Sequence, residues 1–180
     1  MADEKEREKY TRVTQILYPF SGLQNVDKDV LSNAATRGSK VHKICEGIVT
    51  GLGEFGVDSE TLGYVLSFKQ WWGEGMPVVE VERRFWSDEH KITGQIDMIV
   101  ETPVGLAIVD IKTSSKPSKT WQLQGSAYYE LVTKAGFDIK KIWFLHLSKE
   151  GKAPKVMEYE PDFGFFLQVL NVYNYFFGTK

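Results

Sequence analysis

The chain of 180 residues is poor in cysteine, with Cys45 alone, and it has no apolar run of membrane-spanning length. One cysteine excludes an internal disulfide framework. The charged first residues lack the hydrophobic segment of a signal peptide, so we expect a cytoplasmic location and no association with a membrane. Apolar residues make up 42% of the sequence and charged residues 26%, which is typical of a globular protein with a substantial core.

Net charge is also scarce. The formal value of −2 argues against a nonspecific nucleic-acid binder, because such proteins are usually basic. The basic residues are nevertheless grouped, and groups of this kind can follow a phosphate backbone. Arg37 and Lys40 lie in one predicted helix, and Lys116 and Lys119 lie in one polar loop. The pair at 83–84, two arginines, is interpreted as solvated surface.

Hydrophobic periodicity and the positions of glycine and proline predict an α+β fold with a mixed central β-sheet flanked by helices. The strand–helix–strand unit from Leu106 to Leu147 should be parallel. We expect one domain over residues 1–180, consisting of a flexible terminus at 1–10, a helical N-terminal part at 11–75, a sheet core at 76–160 that includes a helix at 120–135, and a C-terminal helix at 161–180.

Charged residues interrupt two otherwise apolar strands. The stretch from Ile92 to Glu101 alternates, which places its apolar residues on one face and Asp97 on the other. The next strand is apolar until Asp110, which shares a face with Lys112. Because the two strands form a hairpin, Asp97 and Asp110 can converge on one ion. A buried charged pair is costly unless it binds something.

Two helices carry polar residues that are four positions apart and therefore lie on one face. Gln124 and Tyr128 form such a pair after the second strand, and His42 and Glu46 form another in the helix before the sheet. A histidine, two aspartates and a main-chain carbonyl suit Mg²⁺ or Mn²⁺. Trp71 and Trp72 end another helix, and we interpret them as core residues in preference to a platform for stacking bases.

In their order and spacing these motifs resemble the PD-(D/E)XK nuclease superfamily, and within it the RecB-like branch, which includes phage exonucleases. The resemblance covers roughly residues 35–150. Each motif alone is weak, and the four in order are a strong signal. They are the helical Gly-x-x-x-His at 38–42, the Gly-x-x-Asp strand at 94–97, the Asp-x-Lys strand at 110–112 and the helical Gln-x-x-x-Tyr at 124–128.

The resemblance implies a role for each motif residue. The ligands of one or two Mg²⁺ or Mn²⁺ ions would be His42, Asp97, Asp110 and the main-chain carbonyl of Ile111. Lys112 would position or activate the attacking water, and Gln124 and Tyr128 would orient Lys112 or the scissile phosphate. An additional acid beside the metals would be Glu80 or Glu82, which share a face by alternation. The iron–sulfur cluster of some RecB-like nucleases needs four cysteines and cannot form here.

The function that the resemblance implies is a divalent-metal-dependent DNA nuclease, an exonuclease acting on DNA ends in recombination, repair or replication. The alternatives are a nucleic-acid-binding module that has lost cleavage and a structure- or site-specific endonuclease. DNA is the expected partner, and a recombination or replication protein and a homo-oligomer are left open. The residues expected to contact the DNA backbone are Arg37, Lys40, Lys116 and Lys119.

Overall fold

The computed structural model describes residues 9–178, and most of the predicted flexible terminus therefore lies outside the described residues. The α-helices are α1 (Val13–Leu17), α2 (Lys28–Val49), α3 (Leu62–Trp72), α4 (Thr120–Lys134) and α5 (Phe163–Phe177). The strands are β1 (Thr11–Arg12), β2 (Val78–Ser87), β3 (Ile92–Thr102), β4 (Gly105–Lys112), β5 (Ile139–His146) and β6 (Lys155–Glu158). Two short 3-10 turns follow α1, at Tyr18–Phe20 and Leu23–Asn25.

The strands form one mixed sheet in the order β1-β3-β4-β5-β6, and β2 pairs with the other edge of β3. The pairs β2–β3, β3–β4 and β5–β6 are antiparallel. Strands β4 and β5 are parallel and are connected by α4, as the strand–helix–strand pattern predicts. The predicted fold class is confirmed: a mixed sheet flanked by helices.

Helices cover both faces of the sheet and create two apolar cores. On one face α1, α4 and α5 pack around Ile16, Leu131 and Phe166. On the other face α2 and α3 pack around Val41 and Phe68. In the part of the chain that the structure describes, no helix combines the length and the apolar character that crossing a membrane requires.

Strand β3 does not keep one apolar face along its whole length, and here the simple alternation predicted from the sequence is wrong. Ile92 and Ile96 pack in the core under α4, whereas Met98 and Val100 pack in the core under α2. The change of face occurs around Asp97. Pairing of β3 with β4 starts only at Met98, so the strand changes its neighbour at the same point.

The N-terminal part is not purely helical. Thr11 and Arg12 form β1, which runs parallel to the start of β3 and pairs with Ile92 and Thr93. A two-residue strand has no periodicity of its own, so the sequence pattern could not indicate it. Helix α4 spans Thr120–Lys134, within one residue of the predicted boundaries.

Two motif glycines allow close approaches between elements. A Cβ atom on Gly94 would lie 2.6 Å from Cε1 of Tyr128, so the absence of a side chain lets α4 settle directly on β3. A Cβ atom on Gly38 would lie 3.3 Å from Oγ1 of Thr113, where α2 passes the end of β4. Both glycines thus bring the helical motif residues close to the strands that carry the acids.

Candidate active site

The four motifs meet where β4 separates from β3. One edge of β3 pairs with β1 at residues 92–93 and with β4 from Met98 onward. Between these two pairings lies the segment 94–97, and beside it β4 continues to Lys112 without pairing to β3. A cavity of about 260 Å³ opens at this fork and is lined by His42, Glu82, Asp97, Asp110, Lys112, Gln124 and Tyr128 among others.

Asp97 connects β3 to both neighbouring elements. Its Oδ1 accepts a hydrogen bond from His42 Nδ1 at 3.0 Å, and its Oδ2 accepts one from the main-chain N–H of Ile111 at 2.6 Å. Asp97 itself is only 8% exposed. Each carboxylate oxygen keeps a second lone pair, so these bonds fix the side chain and leave it able to bind a cation.

Lys112 and Asp110 form an ion pair that Gln124 bridges. The ammonium lies 2.6 Å from Oδ2 of Asp110 and donates a hydrogen bond to Gln124 Oε1 at 3.0 Å. The amide nitrogen of Gln124 donates to Asp110 Oδ1 and to the hydroxyl of Tyr128, at 3.1 and 2.9 Å. The ammonium of Lys112 is therefore the partner of the buried Oδ2 of Asp110.

Of the two glutamates that the sequence left open, Glu82 is the one at the site. Val81 pairs with Met98 and Arg83 with Ile96, so Glu82 stands opposite Asp97. Its φ of +50° and a register shift earlier in β2 disturb the alternation on which the expected shared face depended. Glu80 instead pairs with Arg83.

The tightest group of candidate metal ligands is His42, Glu82 and Asp97, which offer ligand atoms that all lie within 4.8 Å of one another. Asp110, the third ligand expected from the sequence, stands outside this tight group and pairs with Lys112. Ile111 lines a larger cavity of about 980 Å³ that His42 and Glu82 also line. The structure therefore places all the predicted ligands around one fork, with Glu82 nearer to Asp97 and His42 than the sequence could indicate.

The charges at the fork shift one another's protonation. Burial lowers the pKa of His42, but the nearby carboxylate of Asp97 outweighs it, and the pKa rises to about 9. Burial raises the pKa of Asp97, but its attraction to His42 and the hydrogen bonds from His42 and Ile111 bring the pKa below its usual value. Without a cation, these two side chains form an imidazolium–carboxylate pair at neutral pH.

The other acidic groups at the fork have raised pKa values. Burial, reinforced by Asp97 and opposed by Lys112, raises the pKa of Asp110 to about 6. Burial and the charge of Asp97 also raise the pKa of Glu82. Burial raises the pKa of the Tyr128 hydroxyl well above its ordinary value, so Tyr128 stays neutral and donates or accepts hydrogen bonds only. A concentration of acids that are costly to ionise is typical of a site that binds cations.

Sequence reasoning missed two site residues, Arg84 and Gln95. Arg84 lines the same cavity and donates a hydrogen bond to Gln95, which in turn donates to Glu82. Arg84 is therefore not the solvated residue expected, whereas Arg83 is exposed as expected and lies over the rings of Phe85 and Phe137. The sequence did contain a signal for Arg84, because it follows Glu82 by two residues on the same strand and alternation places both on one face.

The four basic residues expected to contact DNA are divided between two places. Lys116 and Lys119 line a cavity next to the fork and have no carboxylate partner among residues 9–178. Lys40 pairs with Asp58 at 3.1 Å on the outer side of α2. Arg37 lies over the ring of Tyr64, with its Nε buried and without a hydrogen-bond partner among the described residues. Trp71 and Trp72 pack against Phe68, as expected of core residues.

The fork thus gathers acids, one lysine and one histidine between two strands. The model of the PD-(D/E)XK nuclease superfamily matches residues 57–169, which is more than half of the chain. The chain belongs to the PD-(D/E)XK nuclease superfamily, whose members use divalent metal ions and act on nucleic acid. The matched region contains the motifs at 94–97, 110–112 and 124–128, and His42 lies before it.

Solved structures show the same fold at low sequence identity. The protein SSO0001 superposes with a TM-score of 0.58 at 14% identity, over 98% of this chain and 84% of that one. A protein from Eubacterium rectale, titled "Putative exonuclease", superposes with a TM-score of 0.56 at 16% identity, over 97% of this chain and 80% of that one. No curated protein matches the sequence significantly.

The residues at the fork fit a divalent cation. Carboxylates are the ligands that Mg²⁺ prefers, and an added imidazole suits Mn²⁺ as well. Glu82, Asp97 and His42 offer ligand atoms that all lie within 4.8 Å of one another, and Asp110 lines the same cavity. Mutual repulsion between these carboxylates is relieved by a bound cation.

Proton competition should make metal binding depend on pH. A ring nitrogen that binds metal must be unprotonated, and the His42 pKa of about 9 means that it carries a proton at neutral pH. The apparent Mn²⁺ affinity should therefore rise about tenfold per pH unit between about pH 6.5 and 8.5. Below about pH 6 protonation of Asp110 should steepen the dependence, because a second proton then competes.

Titration calorimetry in buffers of different ionisation enthalpy measures both the affinity and the protons released. We expect release of about one proton per ion at neutral pH. The variant His42→Asn, which keeps a similar polar side chain without a titrating ring, should lose this proton release. An affinity that stays flat over that pH range in the wild-type protein would contradict the role of His42 as a ligand.

Proposed function

We propose that the protein is a divalent-metal-dependent deoxyribonuclease of the RecB-like kind that hydrolyses DNA from its ends. The observation that carries this proposal is the connected set at the fork, in which Asp97 holds His42 and Gln124 holds Lys112 against Asp110. An ion pair that only stabilises the fold needs no more than one acid and one base. Four further polar groups surround the Lys112–Asp110 pair, namely His42, Asp97, Gln124 and Tyr128. This arrangement favours a site that acts on a substrate.

In this proposal the ligands of Mg²⁺ or Mn²⁺ are His42, Glu82, Asp97, Asp110 and the carbonyl of Ile111. When bound, the ion supplies positive charge that acidifies a water molecule and offsets charge on the phosphate. Asp97 keeps His42 in place through its Oδ1. Its other oxygen holds the main chain of Ile111, which fixes the end of β4 relative to β3.

Lys112 has the role of stabilising charge on the phosphate as the bond breaks. The Lys112 side chain is 19% exposed, and Gln124 and Asp110 hold its ammonium in place. The ammonium is therefore already oriented before a substrate binds. Tyr128 acts through Gln124 by accepting a hydrogen bond from its amide. Gln124 and Tyr128 are accordingly positioning residues for Lys112.

The intact connection between Lys112 and Asp110 favours this function over an inactive binding module, because loss of catalysis leaves no pressure to keep both groups paired. An end-directed activity is favoured over a site-specific endonuclease, because the Gln-x-x-x-Tyr helix at 124–128 resembles the RecB-like branch, which includes phage exonucleases. The backbone contacts proposed for the substrate are Arg37, Lys40, Lys116 and Lys119.

Circular and linear DNA distinguish the two cleavage modes. With Mg²⁺ the protein should shorten linear DNA progressively and leave covalently closed circles intact. Replacing Lys116 and Lys119 by alanine should weaken binding and reduce the salt dependence by roughly one unit of slope for each lost phosphate contact. Lys140→Ala serves as the matched control, since that lysine is exposed and pairs with Asp138. Rapid nicking of closed circles would overturn the end-directed assignment while leaving the metal site standing.

A further inference from the structure

A second cavity of about 690 Å³ opens directly beside the candidate active site. It lies between the two 3-10 turns at residues 18–25 and the loop at residues 114–119, and we name it the turn–loop groove. Thr14 and Gln124 line both this groove and the cavity at the fork, so the two cavities adjoin at these residues. A chain that leaves the fork past Gln124 enters the groove.

The turn side of the groove presents aromatic and apolar side chains to solvent. Tyr18, Phe20 and Leu23 are 45%, 43% and 42% exposed, although each is large and apolar. The turn that carries them is well ordered, because the carbonyl of Tyr18 accepts hydrogen bonds from Ser21 Oγ and from Gln24 Nε2, both at 2.7 Å. These three side chains form an exposed apolar surface on a hydrogen-bonded turn, which we name the ledge, and exposed apolar surface of this kind marks an interaction site.

The loop side of the groove is basic. Lys116 and Lys119 are both exposed. Among the described residues that line the groove there is neither an aspartate nor a glutamate. The loop is anchored at its start, since His146 donates a hydrogen bond to the Ser114 carbonyl at 2.6 Å and Ser114 Oγ donates to the Lys116 carbonyl at 2.9 Å. The groove thus has exposed aromatic side chains on one side and lysines on the other. This combination suits a polymer ligand that carries both planar rings and anionic groups.

We propose that the turn–loop groove holds unpaired nucleotides of the DNA strand whose phosphodiester lies at the fork, with bases on Tyr18 and Phe20 and phosphates on Lys116 and Lys119. Bases in a duplex are stacked on one another, and only a single strand offers free faces to aromatic side chains. The substrate is then a single-stranded end or a frayed end. This inference rests on the proposed nuclease function and specifies its substrate.

The test is binding of a short fluorescent oligothymidylate in EDTA, followed by anisotropy. Because no divalent metal is present, the measurement reports strand binding whether or not the protein cleaves DNA. Tyr18→Ala and Phe20→Ala should each weaken binding about fivefold or more, the effect of losing one stacked base. Phe20→Leu keeps the apolar volume without the ring and should weaken binding similarly, whereas Tyr18→Phe keeps the ring and should bind nearly normally.

Matched controls come from α5. Tyr175 and Phe176 are 84% and 69% exposed and do not line the groove, so Tyr175→Ala and Phe176→Ala should leave binding unchanged. A blunt hairpin duplex should bind more weakly than the single strand and be insensitive to the ledge variants. Binding of the single strand that is unaffected by loss of both rings would overturn the inference. Wild-type binding of single strands without any cleavage in Mg²⁺ would instead contradict the nuclease function and leave the groove assignment standing.

Discussion

Lys112→Ala should reduce the rate of DNA cleavage by about 10²–10³-fold or more, while DNA binding stays nearly intact. Removal of one preorganised group that stabilises transition-state charge typically costs this much. Lys112 is held against Asp110 and Gln124 within the fork, so its contribution should be larger to the developing charge than to the bound ground state. Single-turnover cleavage and anisotropy under the same conditions separate the two effects.

Two further variants sharpen the test of Lys112. Lys112→Arg should not restore activity, because the guanidinium fork cannot reproduce a compact ammonium that contacts Asp110 Oδ2 and Gln124 Oε1 together. Lys140→Ala removes an exposed lysine that pairs with Asp138 and should cleave DNA normally. If Lys112→Ala lost DNA affinity in proportion to its activity, Lys112 would be an ordinary phosphate contact.

Asp97→Asn should weaken metal binding and slow cleavage together. The substitution keeps the shape of the side chain and removes the charge that faces His42 and Glu82. We expect an affinity for Mn²⁺ at least about 100-fold weaker. Cleavage should fall about a thousandfold, since the charge stabilisation that a metal supplies is worth several kcal/mol. Calorimetry with Mn²⁺ and a cleavage assay measure the two losses.

The same substitution has a second consequence, at His42. Burial lowers the pKa of His42, and the attraction of Asp97 is what raises it to about 9. Without the carboxylate the imidazole should be neutral at pH 7, which NMR of the ring protons can follow. Asp138→Asn is the matched control, because Asp138 is an exposed residue whose partner is Lys140. Mn²⁺ affinity that survives in Asp97→Asn would remove Asp97 from the ligand set.

The residues that the sequence placed correctly are those for which local periodicity decides the outcome. Asp110 and Lys112 share a face of β4 two positions apart, and their charged atoms lie 2.6 Å from each other, closer than strand rise alone indicates. Gln124 and Tyr128 lie one helical turn apart and bond to each other. In both cases a regular element with a fixed repeat carries the two side chains, so spacing alone predicts that they share a face, and the structure adds that they are in contact.

The errors occur where a regular repeat is broken. Alternation predicts that Ile96 and Met98 share a face, but β3 exchanges one neighbour for another at Asp97 and the two residues enter different cores. Glu80 and Glu82 looked equivalent until the positive φ at Glu82 and the register shift in β2 separated them. Pairing partners and backbone irregularities of this kind depend on tertiary contacts, which a one-dimensional pattern does not contain.

The turn–loop groove shows a second kind of limit. Tyr18 and Phe20 lie in a short segment around Pro19 that has neither helical nor strand periodicity, so nothing in the sequence distinguishes an exposed ring there from a buried one. Trp71 and Trp72, the more conspicuous aromatic pair, are packed in the core with Phe68. Exposure of a side chain is a property of the folded chain, and it decides which aromatic residues are available to a strand of DNA.

The central claim, a nuclease whose chemistry depends on a divalent metal at the fork, is tested most directly by digestion of end-labelled linear DNA. The wild-type protein and Asp110→Ala are each compared in Mg²⁺, in Mn²⁺ and in excess EDTA. We expect progressive shortening by the wild-type protein with Mg²⁺, equal or faster shortening with Mn²⁺, and no cleavage in EDTA or by Asp110→Ala under any condition. Full cleavage by the wild-type protein in excess EDTA, or by Asp110→Ala in Mg²⁺, would contradict the claim.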